Sequence, residues 1–152
     1  MTEMLFYHLH QPLERVLPPL LERSLQRGWR VVVQTPSEER LDALDAHLWT
    51  YREESFLPHG TFREAEACEQ PILLTIRDDN PNGAGVRFLV DGAPVPVDAA
   101  AYERIVVLFD GADAQAVAAA RERAGAGKAQ GFDVTYWQAD SNGRWQRMTQ
   151  VG

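Results

Sequence analysis

Two histidines open the search for chemistry. His8 and His10 stand two apart in the run YHLH, a spacing that turns both side chains to the same side of a strand and could begin a metal site. No cysteine or further histidine is spaced to complete a tetrahedral set, so no metal is expected. Glu38 and Glu39, and again Glu53 and Glu54, are adjacent carboxylates. Helical neighbours point in different directions, so these pairs suit the helix dipole and solubility better than acid–base work. Ser37 and Ser55 lack the GxSxG setting of an activated serine. Cys68 has no basic or histidine neighbour in sequence to make it a thiolate, and His47 reads as a solvated residue on the polar flank of its helix. GxxxxGK[ST] is missing, and so is GxGxxG after the first strand. Gly83, Gly85 and Gly92 are spaced like turn glycines. No catalytic constellation emerges, and no cofactor is expected.

Two groups of residues exceed what folding requires. The first is the aromatic segment from Trp49 to His59, WTYREESFLPH. Trp49 extends a leucine stripe by one position and could be core. Phe56, Leu57 and Pro58 form an apolar turn-like stretch more suited to a contact surface. The second is a basic set, Arg121, Arg123 and Lys128. It is either a solvated helix end that favours the dipole or a groove for an acidic peptide, with cations reading carboxylates.

The elements that must position these residues are legible in part. Met4 to Leu9 reads as a first strand. Leu13, Val16, Leu17, Leu20, Leu21 and Leu25 recur at helical spacing and close at Gly28, with Pro18 and Pro19 opening or kinking that helix. Val31 to Val33 is an unbroken β-branched run suited to a parallel strand. A helix then starts with Thr35 as cap, Pro36 at its first position and Glu38 completing a capping box, and it buries Leu41, Leu44 and Leu48. Residues 60 to 70 read as a loop. Strands follow at ILLTI from Ile72, at Val86 to Val90 and at Arg104 to Phe109, the first two separated by the turn-rich DDNPNGAG. Asp113 to about Ala126 is helical by alanine content, weakened at its end by Gly125 and Gly127. Phe132 to Trp137 alternates like a half-buried strand, and after Ser141-Asn142-Gly143 the chain begins either a hairpin return or a tail. Strands alternating with helices predict an α/β fold: a three-layer αβα sandwich around a mostly parallel sheet.

Composition bounds the rest. The 152 residues, 45% hydrophobic and 24% charged, fit one domain over 1–152, its last few residues readable as a tail. No apolar run approaches the roughly 20 residues that cross a bilayer, the N-terminus lacks signal-peptide features, and the lone Cys68 fits a reducing compartment. The expectation is soluble and cytoplasmic, without a membrane partner. A net charge of −7 argues against a large nonspecific nucleic-acid surface. Residues 1–111 hold 10 Lys/Arg against 18 Asp/Glu, and residues 112–152 hold 5 against 4. An acidic partner should therefore prefer the C-terminal third, where Arg144 and Arg147 also lie.

Taken in order, FYHL, RGWRVVVQT, LDALDAHLW, ESFLPH, PILLT, LVDGA, RIVVLFDG, ARER and GFDVTYWQ resemble the chi subunit of bacterial DNA polymerase III, from Phe6 to about Trp145. The resemblance implies a mononucleotide-binding-like αβα sandwich without catalytic activity. It implies an accessory of the clamp loader in DNA replication, bridging the psi subunit to the acidic C-terminal tail of single-stranded DNA-binding protein and meeting DNA only indirectly. The family's tryptophan and phenylalanine matching Trp49 and Phe56 lie on the psi-binding side, with Leu57, Pro58 and His59 beside them. The tail site implies basic residues of the last long helix, with Arg121 the matching position and Arg123 and Lys128 joining it. This chain has Ala124 and Gly125 where well-studied members place an aromatic and a lysine. Lys128 is then the candidate for the missing charge, and Trp137, Arg144 or Trp145 for apolar surface. Another clamp-loader subunit or a helicase is an alternative partner at Trp49 and Phe56. Two other classes stay open: a nucleotide-binding or helicase-lobe-like enzyme fragment, suggested by RVVVQTPSEERLDALDAHL, and a plain oligomerising module.

Overall fold

The β-branched and leucine-rich runs become neighbouring strands of one sheet in a computed structural model that describes residues 1–51 and 57–149. In chain order the elements are β1 (Glu3–Leu9), α1 (Leu13–Gln26), β2 (Val31–Gln34), α2 (Glu38–Thr50), β3 (His59–Thr61), β4 (Ile72–Thr75), β5 (Val86–Leu89), β6 (Arg104–Asp110), α3 (Ala114–Ala129), β7 (Asp133–Ala139) and β8 (Trp145–Met148). The strands lie in the order β3-β4-β2-β5-β6-β1-β7-β8. Neighbours are parallel throughout except β7 and β8, which form an antiparallel hairpin. Alternate strand residues face opposite layers. Val31, Val33, Ile72, Leu74, Phe88 and Val106 pack under α1 and α2. Met4, Phe6, Val32, Leu73, Ile105 and Val107 pack under α3 and the segment after β5. The three-layer α/β sandwich expected from the sequence is therefore the observed fold.

Several boundaries differ, each for a local reason. Pro18 and Pro19 neither open α1 nor end it; the helix starts after Pro12 and runs through both. Pro18 has no N–H for the Glu14 carbonyl, and His47 of α2 replaces it, its Nε2 donating to Glu14 O at 2.7 Å. His47 is thus a half-buried tie between two helices and not a solvated bystander. The cap of α2 is Ser37 rather than Thr35: Ser37 Oγ accepts from Arg40 N at 3.2 Å, while Thr35 is buried at the strand end and donates to Ser37 O. The stretch read as a loop from Gly60 contains the end of edge strand β3, which pairs with Ile72–Leu74. Helix α3 continues past Gly125 and Gly127 to Ala129. Gly127 is needed there, because a Cβ would lie 2.7 Å from Met4 Sδ on β1.

Under the segment after β5, Arg87 is completely buried. Its Nε and one Nη donate to Gln34 Oε1 at 3.0 and 2.7 Å, the other Nη donates to Asp79 O and to Tyr102 Oη, and Arg77 O takes the last N–H. All five guanidinium donors meet oxygen, which is what allows a cation at this depth.

Candidate functional site

At one edge of the sheet, Leu48 closes the buried stripe of α2 and Trp49, one step further round the helix, points outward. It is 53% exposed, so it is surface and not core. Its ring lies against the His59 imidazole of β3, centroids 4.3 Å apart. His59 is buried; its Nδ1 donates to Leu57 O at 2.5 Å. Nε2 is 3.1 Å from Asp45 Oδ1, within ion-pair distance but without hydrogen-bond alignment. Leu57 is buried in the core under α2, and Pro58 is half-buried. Phe56 lies outside the described residues. Of the five residues expected to form a docking patch, Trp49 and Pro58 reach the surface, while Leu57 and His59 are its footing.

Near the opposite edge, Asp113 caps α3, its Oδ1 accepting from Gln115 N and Ala116 N. Ala120, Ala124 and Gly127 form the buried stripe. At about 100° per residue, Arg121 and Lys128 lie within about 20° of each other on one flank of that stripe, with exposed Gly125 between them. Lys128 Nζ sits 5.1 Å from the Tyr136 ring centroid on β7. Arg123 lies on the other flank and donates to Gly92 O at 3.0 Å; burial pulls its pKa down. The expected basic set is therefore split, two cations toward β7 and one committed to the turn after β5. Ala124 belongs to the core and not to any surface site. Trp137 and Trp145 cannot lend apolar surface to this flank, because they project from the other face of the sheet, beside Tyr7.

A crevice of about 730 Å³ opens where α1 and α3 leave the carboxyl ends of adjacent β1 and β6 for opposite faces, the usual ligand position in such sheets. It is lined by Glu14, Asp91, Asp110 and Asp113. Its guanidinium groups are occupied: Arg40 pairs with Glu14 at 3.0 Å and Asp91 at 2.8 Å, and Arg123 bonds Gly92. That electrostatic balance suits no phosphate. Among the described residues, no group of three or more His, Cys, Asp or Glu could hold a metal ion, and no helix is long and apolar enough to cross a membrane.

These features define a three-layer α/β protein with an exposed tryptophan, Trp49, at one edge of its sheet and a cationic flank on α3. Residues 1–135 match the family described as DNA polymerase III chi subunit, HolC, and the chain belongs to that family. A protein of Rickettsia prowazekii (strain Madrid E), "Probable DNA polymerase III subunit chi", is 26% identical over 121 residues, covering 72% of this chain and 71% of the relative. The resemblance read from the sequence is thereby established, and with it the place of the chain as an accessory subunit of a polymerase complex.

Proposed function

We propose that this chi-family chain is a noncatalytic adaptor in the cytoplasm. It links the clamp-loader complex to single-stranded DNA-binding protein during replication. The observation that supports the reading is that an exposed tryptophan and a cationic helix flank stand near opposite edges of one sheet. Trp49, set on the buried His59, is the aromatic anchor of a protein interface, to be met by the psi subunit, an equivalent clamp-loader subunit or a helicase. Arg121 and Lys128, about 10 Å apart along α3 at 1.5 Å per residue, form the cationic flank for an acidic C-terminal tail. Gly125 between them leaves open space, since a Cβ there would meet nothing within 4 Å; the flank can admit a tail side chain.

Titration of a labelled acidic tail peptide, read by fluorescence anisotropy, tests the assignment. A charge-assisted hydrogen bond contributes about 1.5–3 kcal/mol, so Arg121→Ala should weaken binding by roughly 10- to 150-fold with the melting temperature unchanged. Lys128→Ala should act in the same direction. Unchanged peptide affinity in Arg121→Ala would remove Arg121 from the tail site. A thermal shift with nucleotide in place of the peptide should be absent.

A further inference from the structure

On the face that carries α1 and α2, a groove of about 990 Å³ runs over β1, β6 and β7, between α1 and the β7–β8 hairpin. Its floor is aromatic. Tyr7 lies edge-on to Trp145 with centroids 4.7 Å apart and stacked beside Trp137 at 6.3 Å; all three are half-buried. Its walls are cationic. Arg15 and Arg23 line it from α1, and Arg144 and Arg147 from the hairpin. Among the described residues none of these four guanidinium groups has a carboxylate partner.

The acids of the groove are mostly committed. Glu3 pairs with Arg104 at 3.1 Å. Asp140 accepts from the backbone N–H groups of Asn142 and Arg144 and from the Gln146 amide. A chain of net charge −7 therefore holds a local excess of uncommitted positive charge on both sides of a strip of rings. The strip follows β7 for about 20 Å at about 3.3 Å per residue. A ligand with flat apolar groups and an anion at every repeat satisfies both walls and the floor together. An acidic peptide accounts for the walls, but only its occasional aromatic residue would use the floor.

We propose that this groove binds single-stranded nucleic acid, with bases stacked against Trp137 and Trp145 and phosphates held by Arg15, Arg23, Arg144 and Arg147. Ring platforms flanked by cations bind single strands with little sequence preference. A duplex keeps its base faces covered and cannot use them. The site goes beyond the adaptor reading, in which DNA is reached only through a protein. It lies on the sheet face opposite α3, so losing one activity does not entail losing the other. Trp145, Arg144 and Arg147, on the returning arm of the hairpin, also fall outside the residues 1–135 that match the family.

The test is anisotropy of a labelled oligothymidylate of about 15 nucleotides titrated with the full chain at low salt, with tryptophan quenching as a second readout. Binding should weaken with salt at a log–log slope of about −2 to −3, as three or four neutralised phosphates on a single strand require. Arg144→Glu/Arg147→Glu should lose at least tenfold in affinity, and Arg15→Glu/Arg23→Glu on the facing wall should do the same. Trp145→Phe should keep affinity and Trp145→Ala lose it, with melting curves confirming that each variant folds. Arg121→Glu should leave oligonucleotide binding intact while abolishing tail-peptide binding, which separates this proposal from the adaptor reading. The proposal is overturned by failure of the wild type to bind the oligonucleotide, by equal binding of a duplex, by charge-reversed walls that bind normally, or by an acidic peptide that occupies the groove while the oligonucleotide does not.

Discussion

His8 sits on β1 with a buried Nδ1 that has no hydrogen-bond partner. Its pKa lies below the usual 6.5, first through burial and then through repulsion from His10, with Asp110 pulling weakly the other way. A histidine depressed in the folded chain binds its proton more readily when unfolded. Stability from this residue is therefore complete above pH of about 6.5 and declines as pH falls from there toward the folded value. Glu14 behaves differently: its hydrogen bond to Arg40 lowers its pKa from 4.5, so its contribution is lost only in more acid solution. Melting temperatures of wild type and His8→Asn at pH 7.5 and 5.5 isolate the first effect. The wild type should lose more on acidification than the variant, and equal losses would exclude His8 as the cause. The residue that a sequence reading passes over is Arg87. It is a lone cation inside the apolar run VRFLV, and the four oxygens that accept its five N–H groups come from three other segments that only the fold assembles. The break in the apolar run was the available signal. The split of Arg123 from Arg121 was also available, since two helical steps separate side chains by about 200°.

Among the elements, α1 shows how a proline can be kept in mid-helix. Proline costs a helix its N–H and crowds the preceding turn, yet here the orphaned Glu14 carbonyl is satisfied from α2 by His47. The bond also fixes how α1 lies against α2, both of which pack on the same sheet face. His47→Ala should destabilise the chain by about 1 kcal/mol, toward the lower end of the cost of leaving an acceptor unpaired, since this carbonyl is part-buried. In a Pro18→Ala background residue 18 regains an N–H for Glu14, and the cost of His47→Ala should shrink by at least half. Denaturant melts of the four chains of this cycle measure the difference, and an unchanged cost would show that His47 acts on something other than that carbonyl. The strong elements were legible because their signals are local: β-branched runs for β2 and β6, leucine stripes for α1 and α2. Edge strand β3 was not legible. Its three residues, His59–Thr61, carry no strand pattern and are extended only because Ile72–Leu74 offers them partners. Sheet order was hidden for the same reason, since pairing such as β1 between β6 and β7 joins segments about a hundred residues apart in sequence.

Taken as a whole, the sheet acts as a spacer. Trp49 stands beside β3, the first strand in the sheet, and the Arg121–Lys128 flank stands over β7, six strands away. At about 4.8 Å per strand the two surfaces are roughly 30 Å apart, several times the Debye length of about 8 Å at physiological ionic strength. The layers between them are packed apolar cores, and the two surfaces stand on different helices on opposite faces of the sheet, Trp49 on α2 and the cationic flank on α3. Coupling between sites needs an element with two arrangements that both ligands bias, so the two surfaces of the proposed adaptor should bind independently. Trp49→Ala should leave acidic-peptide affinity within about twofold of wild type, and Arg121→Glu should leave capture of the psi subunit unchanged. The double variant should lose both by the sum of the single effects, as sites more than about 10 Å apart usually do. Calorimetric titrations of the single and double variants decide the matter. A tenfold change in peptide affinity on removing Trp49 would mean that the sheet transmits rather than merely separates, and the adaptor would then have to be a regulated one.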